Sequence, residues 1–124
     1  MQNKKILVID DSMTDFLYVK NILTHGGYQV SHAPSGRDGI EEAKRSQPDC
    51  ILMDVVMPEM NGFQATRALS REVTTADIPV LMLSSKSQKT DQVWAHRQGA
   101  KDYIVKPADP KELLGKLKTL FAGS

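Results

Sequence analysis

Cys50-Ile51-Leu52-Met53 is an apolar run without helical spacing, bounded by Pro48-Asp49 before it and by Asp54 and then Pro58 after it. A strand of this composition is buried on both faces of its sheet, and sheets covered on both faces are mostly parallel, with helices above and below. Asp54 stands at the carboxyl end of the strand. In an open parallel sheet this is the end at which ligands bind, so the carboxylate either meets a ligand or caps the following turn. The strand alone leaves both readings open.

The remaining chain keeps the same rhythm. Ile6-Leu7-Val8-Ile9 is a short apolar strand ending in Asp10-Asp11. Ser12 then offers an N-cap to a helix carrying Phe16, Val19, Ile22 and Leu23, which Gly26-Gly27 stops. Tyr28-Gln29-Val30-Ser31 reads as a more polar edge strand. Ser35-Gly36-Arg37-Asp38 has the capping pattern of a second helix, running through Ile40 and Ala43 and ending before Pro48. After the Asp54 strand, Asn61 caps a third helix holding Phe63, Thr66, Ala68 and Leu69. A fourth strand spans Ile78-Pro79-Val80-Leu81-Met82-Leu83 and closes at Ser84-Ser85, its proline at the entry where no ladder donor is needed. Gln88 to Gln98 forms a fourth helix, and Tyr103-Ile104-Val105 a fifth strand ending in Lys106-Pro107. Asp109, Pro110 and Glu112 open a last helix with an apolar stripe of Leu113, Leu114, Leu117, Leu120 and Phe121. Strict alternation predicts an α/β fold: a five-stranded parallel sheet, doubly wound and flavodoxin-like, covered by five helices.

Composition narrows what such a fold can do. With 124 residues there is room for one domain, 1–124, and none for a separate output domain. Sixteen basic against fifteen acidic side chains leave a net charge of +1, without the basic footprint of a nucleic-acid binder. The apolar runs are strand length, and Met1-Gln2-Asn3-Lys4-Lys5 passes straight into the first strand with no leader region. A cytoplasmic protein with no membrane insertion is expected. Cys50 is expected to be a small buried thiol without a reactive role.

The chemistry follows from where the strands end. Asp10 and Asp11 close the first strand, Asp54 the third, Ser84 the fourth and Lys106 the fifth. With strand order 2-1-3-4-5 the first and third strands are neighbours at the switch point, and three carboxylates converge in one crevice. Such a cluster repels itself, which raises carboxylate pKa values or recruits a cation. Hard oxygen ligands with open positions suit Mg2+. Lys106 supplies a positive charge and Ser84 a hydroxyl for the equatorial oxygens of an incoming phosphoryl group, and the Asp54 carboxylate is the nucleophile.

Taken together, Ile6 to Asp11, Asp54 with Met57-Pro58 and Asn61-Gly62, Ser84, Gly99-Ala100 and Tyr103-Ile104-Val105-Lys106-Pro107 resemble the receiver domain of two-component response regulators, of the single-domain chemotaxis type. The resemblance covers nearly the whole chain. It implies that Asp54 is phosphorylated from the phosphohistidine of a sensor histidine kinase. It also implies that Asp11, Asp54 and the backbone carbonyl of Val56 bind Mg2+ while Asp10 acts partly through water. Lys106 and Ser84 are then the phosphoryl contacts, Lys106-Pro107 is a cis peptide, and Tyr103 is a rotamer switch that turns inward as Ser84 moves. The implied chemistry is self-catalysed phosphoryl transfer and autodephosphorylation, without enzymatic turnover. The expected output surface is the face built from the fourth helix, fifth strand and fifth helix. Lys89-Thr90-Asp91-Gln92-Val93-Trp94, Arg97-Gln98-Gly99-Ala100 and Asn61-Gly62-Phe63-Gln64-Ala65-Thr66-Arg67 are also similar to the small receivers of type IV pilus, twitching-motility chemosensory systems. Whether such a receiver signals to a separate target or drains a shared kinase as a phosphate sink stays open.

Some positions depart from that pattern or stand outside it. Ser84 replaces the commoner threonine, keeping the hydroxyl without the methyl that stiffens its rotamer. Val56 and Lys86 are expected to border the route of hydrolytic water and to tune the acyl phosphate lifetime. Ala108 is expected to leave the pocket rim more open. Trp94 is either an exposed partner anchor or a partly buried packing residue. His25, His32 and His96 lack metal-ligand spacing and read as surface or helix-end residues, and Met13, Met57, Met60 and Met82 as fillers near pocket and core. Two readings compete with a receiver: a Mg2+-dependent phosphohydrolase with an aspartyl nucleophile, which needs a lid, and a docking module that works without phosphorylation.

Overall fold

Strands and helices alternate as β1 (Lys5–Ile9), α1 (Met13–His25), β2 (Gln29–Ala33), α2 (Gly36–Ser46), β3 (Cys50–Met53), α3 (Gly62–Arg71), β4 (Val80–Ser84), α4 (Lys89–Arg97), β5 (Asp102–Val105) and α5 (Pro110–Ala122). The coordinates are those of a computed structural model and describe residues 3–122. The expected passage of Met1 and Gln2 into the first strand lies outside the described residues. The strands pair in parallel in the order β2-β1-β3-β4-β5, the doubly wound arrangement that the alternation predicts. Among the described residues no helix is long and apolar enough to cross a membrane.

The period-two geometry of the strands divides the core between the two faces. Ile6, Val8, Cys50, Leu52, Leu81, Leu83 and Ile104 face one way and pack with Phe16, Val19 and Leu23 of α1 and Leu113 and Leu117 of α5. Leu7, Ile9, Ile51, Met53 and Met82 face the other way, toward Ala43 of α2, Ala65 and Leu69 of α3, and Ala95 of α4. Full burial of each large aliphatic side chain stabilises by about 2 kcal/mol, so the three central strands hold the sheet together. Cys50 is fully buried in β3, and burial pushes its thiol up to about 12.

Caps fix where the helices begin, and so where the strand-end loops point. Ser12 and Ser35 accept from the backbone N–H groups of Asp15 and Asp38, Asn61 and Gln64 form a reciprocal capping box, and the Asp109 carboxylate accepts from Glu112 N–H. At the end of α1, Gly27 takes φ +90°, the left-handed turn into β2 that a residue with a Cβ rarely adopts. Three expectations shift. The edge strand runs to Ala33 rather than stopping at Ser31. β4 begins at Val80, after Pro79 has given its carbonyl to Ile51 N–H. Met13 is 57% exposed on the first turn of α1, outside the core.

Candidate functional site

Register sets the acidic centre. Ile9 lies opposite Met53 in the β1–β3 pair, so the next residues, Asp10 and Asp54, leave adjacent strands at the same level. Asp54 N–H donates to the Ile9 carbonyl at 2.9 Å and Asp10 N–H to the Ala33 carbonyl at 3.1 Å, which anchors both backbones at the sheet edge. Carboxylate oxygens of Asp10, Asp11 and Asp54 all lie within 4.8 Å of one another. Asp10 and Asp54 are buried, whereas Asp11 is exposed at the mouth. Gly62 makes room behind the group: a Cβ there would overlap the Asp54 carbonyl oxygen and come within 2.9 Å of Val55 Cα.

Lys106 arrives by the same logic from the other half of the sheet. Ser84 pairs with Val105, and Lys106 N–H donates to the Ser84 carbonyl at 2.8 Å, so the lysine is the first residue past the edge. Its Nζ lies 2.9 Å from Asp10 Oδ2, 2.8 Å from Asp15 Oδ2 and 3.2 Å from Asp54 Oδ1. Burial alone would lower the lysine pKa. Its hydrogen bonds to Asp15 and Asp10, with the charges of Asp54 and Asp10, outweigh burial and hold it above the ordinary value. For Asp54, burial comes first and the charge of Asp10 second; with a smaller contribution from Asp11 they exceed the pull of Lys106 and push the carboxyl up to about 6.

Ser84 is fully buried at the end of β4, and its hydroxyl accepts from Lys86 N–H at 3.1 Å. Tyr103, on β5, is also buried, and its hydroxyl donates to the Lys86 carbonyl at 2.8 Å. The β4–α4 turn is therefore held from both sides, by the serine and by the tyrosine. The resemblance implies that Tyr103 turns inward as Ser84 moves; in this structure the ring is buried. Burial pushes its phenol pKa up, against the Ser84 hydroxyl and with the charges of Asp91 and Asp54. The Val56 side chain is 58% exposed at the rim. The Lys106-Pro107 peptide is cis. Ala108 is buried, its carbonyl taking the Tyr18 hydroxyl at 2.8 Å, and it lines an open cavity of about 470 Å³ with Asp15, Tyr18, Ser85 and Lys106.

A family model described as the response regulator receiver domain matches residues 6–118. The chain belongs to this family. It is 45% identical over 119 residues to Protein PilH of Pseudomonas aeruginosa, covering 96% of this chain and 98% of that one. Chemotaxis protein CheY of Thermotoga maritima is 36% identical over 115 residues, 92% of this receiver and 94% of CheY. Among solved structures, the receiver domain of a sensor histidine kinase from Pseudomonas aeruginosa superposes with a TM-score of 0.87 at 26% identity, covering 99% of this chain and all of that one. It is described with a magnesium ion coordinated in the active site cleft. Receiver domains take phosphate from histidine kinases and act on downstream targets, and they bind Mg2+ at an acidic site.

The donor set of this receiver fits such an ion. Asp10 is engaged within the protein, Oδ1 by Ser12 N–H at 2.9 Å and Oδ2 by Lys106. Among the described residues no donor hydrogen-bonds to the Asp11 carboxylate or to the Val56 carbonyl, whereas the neighbouring Val55 carbonyl takes Gly62 N–H. Hard oxygens are thus left uncommitted, and carboxylates that converge within 4.8 Å are the donors such a cation takes.

Two residues of the centre escape the sequence reading. Asp15 pairs with Lys106, although nothing in a strand-end argument points to a helix residue; its signal is the Ser12-x-x-Asp15 spacing that also caps α1. His32 is half-buried rather than on the surface: its ring stacks on Phe16 at 4.0 Å, and Nε2 lies 2.8 Å from the Asp10 carbonyl oxygen. The alternation of Val30 with His32 places it on the side of β2 that packs against α1, while Ala33 faces the other way. His25, by contrast, closes α1, and His96 is exposed in the last turn of α4, as expected.

Proposed function

We propose that Asp54 is the phosphoacceptor of a single-domain receiver spanning 1–124, which acts in the cytoplasm in a chemotaxis-like or twitching-motility phosphorelay. The observation that carries this reading is one ammonium group, Lys106, set among carboxylates that converge within 4.8 Å, with Asp54 buried at the centre. A carboxyl at about 6 is mostly ionised at neutral pH and so nucleophilic. One Asp54 carboxylate oxygen attacks phosphorus in line. The new O–P bond forms as the N–P bond to the donor histidine breaks, and the electron pair stays on the imidazole nitrogen, which takes up a proton from solvent. Asp11, Asp54 and the Val56 carbonyl would hold Mg2+, with Asp10 acting partly through water. When bound, the ion neutralises charge on the phosphoryl oxygens. Lys106 and the Ser84 hydroxyl then contact those oxygens.

Ser84 and Tyr103 share the Lys86 turn, so a pull on the serine reaches the tyrosine and the α4–β5–α5 face. That face carries Val93 and Trp94, each nearly half exposed, beside a groove of about 460 Å³ lined by Lys89, Val93, Lys101 and Tyr103. It is the surface on which a downstream protein would read the switch. The loops at the carboxyl ends of the strands are short, the longest running from 54 to 61, which disfavours a lidded phosphohydrolase.

Intact mass after incubation with Mg2+ and acetyl phosphate tests the reading. One labile phosphoryl addition on the native chain, needing Mg2+ and absent in Asp54→Asn, is expected. No addition under any condition points to a docking module, and sustained turnover of a phosphate ester points to a hydrolase.

A further inference from the structure

We propose that Asp15 is a latch on Lys106: it competes for the ammonium that also meets Asp54 and so sets how firmly the site retains a phosphoryl group. The inference rests on Asp54 being the phosphoacceptor and concerns the same centre.

The argument starts from what one ammonium can do. Lysine has three donors and no acceptor. In this structure directed hydrogen bonds go from Lys106 to Asp10 at 2.9 Å and to Asp15 at 2.8 Å, while Asp54 is met at 3.2 Å as an ion pair. The residue that must engage the acceptor's phosphoryl oxygens is thus aimed first at two other acids.

The three acids differ in how easily they release it. The Asp10 side chain is 2% exposed, Asp54 9% and Asp15 46%. A buried carboxylate that loses its partner is left charged in a poor solvent, whereas one nearly half in water is rehydrated on release. Asp54 surrenders its charge when it is phosphorylated. When Lys106 swings to a phosphoryl oxygen, Asp15 is therefore the partner it leaves, and Asp10 the pivot it keeps. Asp15 sits in the first turn of α1, with its backbone N–H held by the Ser12 hydroxyl at 3.2 Å, so its backbone stays with the helix start when the lysine moves.

Asp15 consequently opposes the phosphorylated state by competing for the same cation. A partly exposed ion pair of this kind is worth about two- to five-fold in an equilibrium constant. The Asp15→Asn chain should bind beryllofluoride, a tetrahedral phosphoryl mimic that seats on a carboxylate, two to five times more tightly in saturating Mg2+, followed by 19F NMR. Asp15→Glu should restore the native value, since it keeps the anion.

Direct repulsion between Asp15 and the bound anion would also weaken binding, and a double-mutant cycle separates the two causes. In a Lys106→Met background the gain from Asp15→Asn should vanish if the latch acts through the lysine. A gain of equal size in both backgrounds overturns the latch, as does native-like affinity of Asp15→Asn. Failure of the native chain to bind beryllofluoride at all overturns the phosphoacceptor reading, and the latch with it.

Discussion

Removing the charge at the centre should make the metal-free protein more stable, although Asp54 is the residue on which the proposed function turns. The folded chain holds this carboxyl at about 6 against an ordinary 3.8, chiefly through burial and the nearby charge of Asp10. A raised value means that the folded state prefers the protonated group. Protonation therefore stabilises the fold, a contribution complete below about 4 and lost as pH rises through about 6. Above that range the ionised group costs the fold about 3 kcal/mol. The side chain is only 9% exposed, so solvent screening trims this little. The value of about 6 already includes the pull of Lys106, so about 3 kcal/mol is the gain expected for Asp54→Asn, whose amide stands in for the neutral acid. Urea unfolding in EDTA checks this. The variant should be more stable by about 3 kcal/mol at pH 7.5 and by about a third of that at pH 4.5. A gap of the same size at both pH values, or an asparagine chain less stable at pH 7.5, would refute the reasoning.

Gly62→Ala places a methyl group on the Asp54 carbonyl, where backbone must give way; a loss of about 2–4 kcal/mol in urea unfolding and a sharp fall in phosphorylation by acetyl phosphate are expected. His32→Phe keeps a ring against Phe16 but removes the partner of the Asp10 carbonyl. It should cost about 1 kcal/mol and weaken Mg2+ binding measured by calorimetry, while His32→Gln, which can still donate, recovers most of both. Val56→Asn puts a hydrogen-bonding side chain at the exposed rim and should speed loss of the phosphoryl group, read as the decay of the added mass; Lys86→Glu, in the turn after Ser84, should also change that rate. An unchanged decay in both would remove these positions from the path of hydrolytic water.

Asp10, Asp54, Ser84 and Lys106 were legible in the sequence because each follows an apolar run, and strands in parallel register end together. The argument needed only a period of two and a strand order. Asp15 was not, since its approach to Lys106 depends on how α1 is rotated over the sheet, which periodicity within the helix leaves free. His32 was missed for a different reason: β2 is an edge strand whose mixed composition hides the inward face, and Val30 alone marks it. Met13 shows the reverse error, an apolar side chain in a first helical turn that overhangs the core instead of entering it. The inward position of Tyr103 depends on the Lys86 carbonyl, a backbone atom in a polar turn with no side-chain signature.

The one sulfhydryl of the chain offers a measurement of its own. Cys50 lies at the middle of the sheet with no surface reaching water, and burial holds its thiol at about 12. The thiolate attacks an alkylating reagent, so at neutral pH such a reagent finds neither access nor a nucleophile until β3 parts from its neighbours. The rate at which a maleimide captures this sulfur therefore times the opening of the whole central sheet, free of fraying at the edges. Run with and without Mg2+ and a phosphodonor, the same clock would report how far chemistry at the rim tightens the layer beneath it.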